Sequence, residues 1–343
     1  DNRQRHTMWL AVAAATTAGV AATAARGGMP RLIIDTDMST DCDDVGATCL
    51  AHALADRGEV DLLAVVHDTG LDTGAAAVAA INAYYGRPNL PVGAYKGPFD
   101  ADVRGSYVDD LVARFPGRIT NSSQAPDAVD VYRAALAGAP DGSVWISSIG
   151  FTTNLEALLR SAPDATSPLR GEELVAAKVR GLAWMGGRYP ASTPGQPGLP
   201  SPEHNFGYHG IGPSTAFTLA RWPTTVPIVF LGWEVGAPIG TGGCMTNHTP
   251  VTNPCRAAYI DHSGAGNDRS SWDPATTLFA VRGAEGFYEV HSTGHNTVNS
   301  TTGNNAWVDT GVSANQSYLV LRADAAAVRA AINELLLAPP LHA

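Results

Sequence analysis

From residue 31 onward the chain alternates short apolar runs with longer Ala-rich or amphipathic stretches. Leu32, Ile33 and Ile34 read as a buried strand, and from Val45 the spacing Val45, Ala47, Cys49, Leu50 and Ala53 suits a helix packed on a sheet. Residues 62–66 form a second apolar run, followed by an Ala-rich helix over 74–85 and a short strand at 91–93. Helical segments are predicted near 107–114 and 128–137. Residues 144–149 are another buried strand, turning through Gly150-Phe151-Thr152-Thr153-Asn154 into a helix over 155–160. Strands follow at 179–185 and 226–231, and 236–270 reads as loop. Trp272-Asp273-Pro274 opens a helix reaching Arg282, with Asp273 expected as its N-cap before a Pro at the first helical position. Residues 287–322 read as antiparallel strands and 324–337 as a last helix. This alternation predicts an α/β fold, a mainly parallel central sheet flanked by helices on both faces with a short antiparallel C-terminal strand region. Ligands in such folds lie at the carboxyl ends of the strands. His67-Asp68, Thr153-Asn154, Met185-Gly186-Gly187 and Trp233-Glu234 all fall there.

One strand end stands out chemically. Between the first strand and the first helix lie Asp35, Asp37, Asp41, Asp43 and Asp44, five carboxylates in ten residues. Helix capping and the helix dipole account for one or two acidic residues at such a place, not for five. At the end of a buried strand their mutual repulsion must be met by a cation, by hydrogen bonds or by raised pKa values. Oxygen ligands without a nearby His or Cys pair favour calcium or magnesium over zinc.

Composition narrows the partners. A net charge of −10, with 22 Lys and Arg residues scattered singly, argues against a nucleic-acid backbone and for a small neutral substrate. Residues 1–28 differ in kind: Arg3 and Arg5 precede an apolar Ala-rich run with small residues at Ala22-Thr23-Ala24, the pattern of a secretory signal peptide. With its several Thr and Gly the run makes a poor permanent membrane span, so the expected location is extracellular, with residues 29–343 as a single domain. Sequons begin at Asn121, Asn247, Asn299 and Asn315. Of the four cysteines, Cys244 and Cys255 bracket a polar loop and are expected to form a disulfide; Cys42 and Cys49, too far apart along one helix to pair with each other, are expected to be buried thiols. Residues 188–202, rich in Pro and Gly, suit a flap over a site and lead into Glu203-His204-Asn205. A homo-oligomer is compatible with this sequence.

The motifs resemble those of the nucleoside hydrolases, the inosine-uridine-preferring N-ribohydrolases. Asp35-Thr36-Asp37, the Asp43-Asp44 pair opening a helix, Gly150 to Asn154, Met185-Gly186-Gly187, Glu203-x-Asn205 and Asp273 before Pro274 carry the likeness, over residues 31–340. It implies a Rossmann-like nucleoside hydrolase fold and calcium-dependent hydrolysis of the N-glycosidic bond of a nucleoside or riboside. Carried over by position, Asp37, Asp44, Asp273 and the Thr153 carbonyl would ligate Ca2+. Asp37 would also be the general base, and Asp43 or Asp41 would bind ribose. Glu203 and Asn205 would hold the remaining hydroxyls, with Asp68 a further substrate-binding candidate at its strand end. The chain departs from the family pattern in three places: a longer spacer between the Asp37 and Asp43-Asp44 motifs, no Asn between Gly187 and Asn205, and Trp272 where the family commonly has the His that serves as leaving-group acid. Trp272 is then expected to stack on the base. Two other readings stay open. Asp35 and Asp37 also match the first motif of haloacid-dehalogenase-like phosphatases, with Asp35 as nucleophile and magnesium as metal, although no late Asp pair follows Lys178. A secreted calcium- or sugar-binding protein of the same fold without turnover is the third.

Overall fold

In a computed structural model that describes residues 28–39, 41–99, 106–189, 202–322 and 324–341, eight strands form one sheet. They are β1 (Arg31–Thr36), β2 (Asp61–His67), β3 (Val92–Ala94), β4 (Val144–Ser148), β5 (Val179–Met185), β6 (Ile228–Leu231), β9 (Tyr288–Val298) and β10 (Asn305–Leu321); β7 (Gly240–Thr241) and β8 (Arg269–Ser270) pair separately. The order is β3-β2-β1-β4-β5-β6-β10-β9. Every neighbouring pair is parallel except β9 with β10, which joins the main sheet through a parallel pairing with β6. The signal-peptide-like segment, apart from its last residue, and most of the 188–202 loop lie outside the described residues.

The apolar runs are continuous rather than alternating because both faces of the sheet are covered. In β1, Leu32 and Ile34 join one hydrophobic cluster with the helices Asp43–Asp56, Gly74–Tyr84 and Trp272–Arg282, while Ile33 joins the other with Ala128–Gly138, Thr153–Arg160 and Gly171–Lys178. Strand order reverses between β1 and β4: the chain runs outward through β2 and β3 on one side and through β5 and β6 on the other. The loops leaving adjacent strands at such a reversal diverge and open a crevice. The 35–44 acidic run leaves β1 there, and the Gly150 to Thr153 turn leaves β4.

Three sequence expectations need correction. Residues 236–270 are not all loop: Met245–His248 and Pro254–Ser263 are helices. The second starts on Asn253, whose Oδ1 accepts from Cys255 N (2.8 Å) and Arg256 N (3.2 Å), with Pro254 at the first helical position. That helix turns Cys255 toward the helix Asp43–Asp56, so the disulfide is Cys49–Cys255, 206 residues apart, and not Cys244–Cys255. Cys42 is a buried free thiol as expected; Cys244 is free and half-buried, its Sγ donating to Asn333 Oδ1 at 3.4 Å. Closing so long a loop is worth about 5 kcal/mol in the chain-entropy account. Third, the N-cap of Trp272–Arg282 is Ser271, and Asp273 lies inside the helix.

Candidate active site

The carboxylates of the 35–44 run turn inward. Asp37 is 6% exposed, Asp43 and Asp44 1%, and they meet Asp68 from the end of β2 (0%) and Asp273 from the helix Trp272–Arg282 (5%). Burial pushes all five carboxyls well above the ordinary carboxylate range, and the neighbouring negative charges add to the shift. The fold answers part of this charge. The helices Asp43–Asp56, Thr153–Arg160 and Trp272–Arg282 all start here, directing their positive ends at the cluster. Arg269 Nη2 bonds Asp41 Oδ2 at 2.8 Å and its Nε lies 3.9 Å from Asp43 Oδ1.

The individual bonds separate what is satisfied from what is not. Thr36 Oγ1 donates to Asp44 Oδ1. Asp43 Oδ2 accepts from Trp272 N (3.0 Å) and Asp273 N (3.2 Å), taking the capping role that the sequence assigned to Asp273. Asp35 is fully held, Oδ1 by Asn154 Nδ2 and Oδ2 by Tyr132 OH, both at 2.8 Å, with burial raising its carboxyl to about 7. A carboxylate so enclosed cannot serve as the nucleophile the phosphatase reading requires. By contrast both oxygens of Asp68, and Oδ1 of Asp43, are buried without a hydrogen-bond partner among the described residues. Gly150 makes this possible: a Cβ there would collide with the Asp37 backbone nitrogen and with Asp68 Oδ2.

A metal ion fits what is left. Carboxylate oxygens of Asp41, Asp43 and Asp273 lie within 4.8 Å of one another, and the charges of Asp37 and Asp44 act on Asp273 as well. All of these donors are hard oxygens. The adjacent His67 does not join them: its Nε2 faces Met38 O at 3.3 Å and burial holds it down to about 4, a neutral packing histidine. Thr153 sits at the same crevice, its Oγ1 donating to Asp68 O at 2.5 Å.

The β5 side carries the Glu203 and Asn205 pair. Glu203 accepts from Gly187 N (2.9 Å), Asn205 N and Phe206 N (both 3.2 Å), capping the helix His204–Gly207, and burial raises it to about 7. Asn205 Nδ2 donates to Ile149 O (3.1 Å) and Met185 O (3.4 Å), tying this helix to the ends of β4 and β5. Trp272 is half-buried; its ring lies under the Arg269 guanidinium at 5.0 Å, and its Nε1 donates to Trp233 O at 2.8 Å. The crevice thus gathers Asp37, Asp41, Asp43, Asp44, Asp68, Thr153 and Asp273, with Glu203 and Asn205 bonded to the neighbouring strand ends. Arg269 and Tyr132 carry no sequence signal for their roles here. Arg269 falls in the segment read as loop, and nothing in the spacing of Tyr132 along its helix announces a bond to Asp35.

Comparison with known proteins agrees with this geometry. The family model described as inosine-uridine preferring nucleoside hydrolase matches residues 32–298. No curated protein matches the sequence. Among solved structures, a plant nucleoside hydrolase, PpNRh1, is 19% identical, covering 91% of this chain and 100% of its own, with a TM-score of 0.63. The inosine-uridine preferring nucleoside hydrolase from Bacillus anthracis is 15% identical over 90% of this chain and 99% of its own, with a TM-score of 0.61. The type III effector XopQ, solved with adenosine diphosphate ribose, is 15% identical over 93% and 97%, with a TM-score of 0.69. At these identities the structures share the fold.

Proposed function

We infer what this chain does from its family: it belongs to the inosine-uridine preferring nucleoside hydrolases, enzymes that act on N-glycosyl bonds. We propose calcium-dependent hydrolysis of a ribonucleoside or related riboside to free base and ribose. The observation that carries this reading is the set of buried carboxylates at the β1/β4 crevice, with Asp68 and Asp43 Oδ1 lacking partners. Asp37, Asp44, Asp273 and the Thr153 carbonyl would hold the ion, and bound there it would fix ribose hydroxyls and make a water more acidic. Asp37 accepts the proton of the attacking water. Asp68, and Asp41 or Asp43, accept hydrogen bonds from ribose hydroxyls, while Glu203 and Asn205 secure the β5 side of the sugar. As the bond to the base lengthens, positive charge develops at the sugar ring, and fixed carboxylates stabilise it without reorganising.

The test is a panel of nucleosides incubated with purified protein, with and without chelator, read by free base and reducing sugar. Base release abolished by chelator and restored by calcium is the expected result. Tight ribose binding with no release would mark a binding protein of the same fold, and turnover indifferent to chelator would remove calcium from the account.

We further propose that residues 29–343 act as one domain outside the cytoplasm. The Cys49–Cys255 disulfide supports an oxidising compartment, and among the described residues no helix is long and apolar enough to cross a membrane. N-terminal sequencing of exported protein should find a start after about Ala24; a start upstream of Met8 would contradict the leader assignment.

A further inference from the structure

A departing base carries off the electron pair of the glycosidic bond and leaves most readily when that pair is met by a proton. Position 272 cannot supply one, because the Trp272 indole N–H is spent on Trp233 O. Elsewhere, three separate segments bring aromatic and imidazole rings together at the end of β4. Phe99 comes from beyond β3, Phe151 from the turn after β4, and His204, Tyr208 and His209 from the chain following the 188–202 loop. Ring centroids are 5.4 Å apart for Phe99 and Phe151, 5.4 Å for Phe151 and His204, 5.6 Å for Phe151 and His209, and 4.8 Å for His204 and Tyr208.

We propose, resting on the reaction assigned above, that this ring cluster receives the flat leaving base and that His204 is the acid that protonates it.

The position of His204 is fixed by its neighbours. Asn205 is bonded to Ile149 O at 3.1 Å, the next residue, Gly150, abuts Asp37, and the one after, Phe151, lies against the His204 ring. The imidazole is therefore held against the turn whose Gly150 abuts the Asp37 backbone. It is half-buried. His209, which completes the cluster, is the only described non-glycine residue in the left-handed region (φ 54°), a conformation that persists where surrounding structure enforces it. The groups around His204 set its acidity: burial lowers its pKa, the Asp41 carboxylate opposes this and His209 adds to it, so its protonated form is a stronger acid than free imidazolium.

The step balances. The bond from C1′ to the base nitrogen breaks, its electron pair stays on nitrogen, and that nitrogen takes the proton of the His204 imidazolium. Water supplies oxygen to C1′ and yields a proton to Asp37. One proton is gained at Asp37 and one lost at His204, and exchange with solvent restores both.

Wild type, His204→Phe and His209→Phe should be compared on inosine and on 4-nitrophenyl riboside, whose leaving group departs without protonation. Phenylalanine keeps the ring and removes the proton. The inference expects His204→Phe to lose roughly 100-fold or more in kcat/KM on inosine while remaining within about threefold on 4-nitrophenyl riboside, with His209→Phe much less selective. Equal loss on both substrates, no loss on inosine, or selective loss in His209→Phe instead would overturn the assignment to His204. A wild type inactive on both ribosides removes the proposed reaction and this inference with it. Activity on both with no selective loss overturns the inference alone.

Discussion

Asp35 and Asp68 end neighbouring strands of one sheet, are equally buried, and differ in one respect. Asp35 has both oxygens bonded to side chains of the protein, Asn154 and Tyr132. Asp68 has no side chain bonded to either oxygen among the described residues, and only the Phe151 backbone N–H draws its carboxyl down against burial. A buried carboxylate whose bonds are all internal shapes the protein, because removing it orphans its partners. One whose bonds are missing costs stability in the unliganded chain, and is compensated by what it binds. The same division runs through the crevice itself: Asp43 spends Oδ2 on the start of a helix and keeps Oδ1 without a partner among the described residues.

The largest effect expected from this contrast is on chemistry. Asp37→Asn should lower kcat/KM by roughly 10²-fold to 10⁴-fold with the chemical-denaturation midpoint unchanged or raised; a variant that is both active and less stable would place Asp37 among the structural carboxylates. Next, Asp35→Ala should cost about 2–5 kcal/mol, as it strands the Asn154 amide and the Tyr132 hydroxyl, while Asp68→Ala measured in chelator should cost nothing or stabilise. Urea unfolding of the pair reads this directly, and equal losses would erase the distinction between the two strand ends.

A smaller effect separates the site from the helical wall behind it. His52 is buried, stacked on Tyr85 at 4.7 Å and bonded through Nε2 to Asn82 Oδ1 at 2.8 Å, and burial holds it down to about 4 from 6.5. Above pH 6.5 the ring is neutral folded or unfolded. As pH falls from 6.5 toward 4 the unfolded chain takes up a proton that the folded one refuses, so stability is lost across that window, by up to about 3 kcal/mol. In His52→Gln that slope should flatten; an unchanged slope would mean other groups set the acid limit. Smallest is Trp272→Phe, which removes one hydrogen bond to Trp233 O and should cost about 1 kcal/mol. A loss of turnover far beyond its loss of stability would show that the indole meets the substrate.

What the sequence made legible follows from which interactions are local. The strands and most helices are written in apolar spacing, and the strand ends carrying Asp37, Asp68 and Thr153 follow from β-α alternation alone. The helix Pro254–Ser263 is not legible in the sequence because it lies among short polar turns with little apolar periodicity, and the disulfide is hidden with it: once Cys255 sits on a helix face, its neighbour is Cys49 and not the nearby Cys244. The partners of Asp35, the bond from Asp43 to the start of a helix some 230 residues away, and the Arg269 pairing are long-range contacts with no local signature. The acidic run announced a charged site. Which of its members the protein keeps for itself became visible only in the folded chain.

The most direct test of that division is calcium titration of chelator-stripped protein by calorimetry, wild type beside Asp44→Ala and Asp35→Asn. One ion per chain in wild type, lost in Asp44→Ala and kept in Asp35→Asn, is the predicted result. Calcium bound equally well by Asp44→Ala, or not bound by wild type at all, would contradict the account.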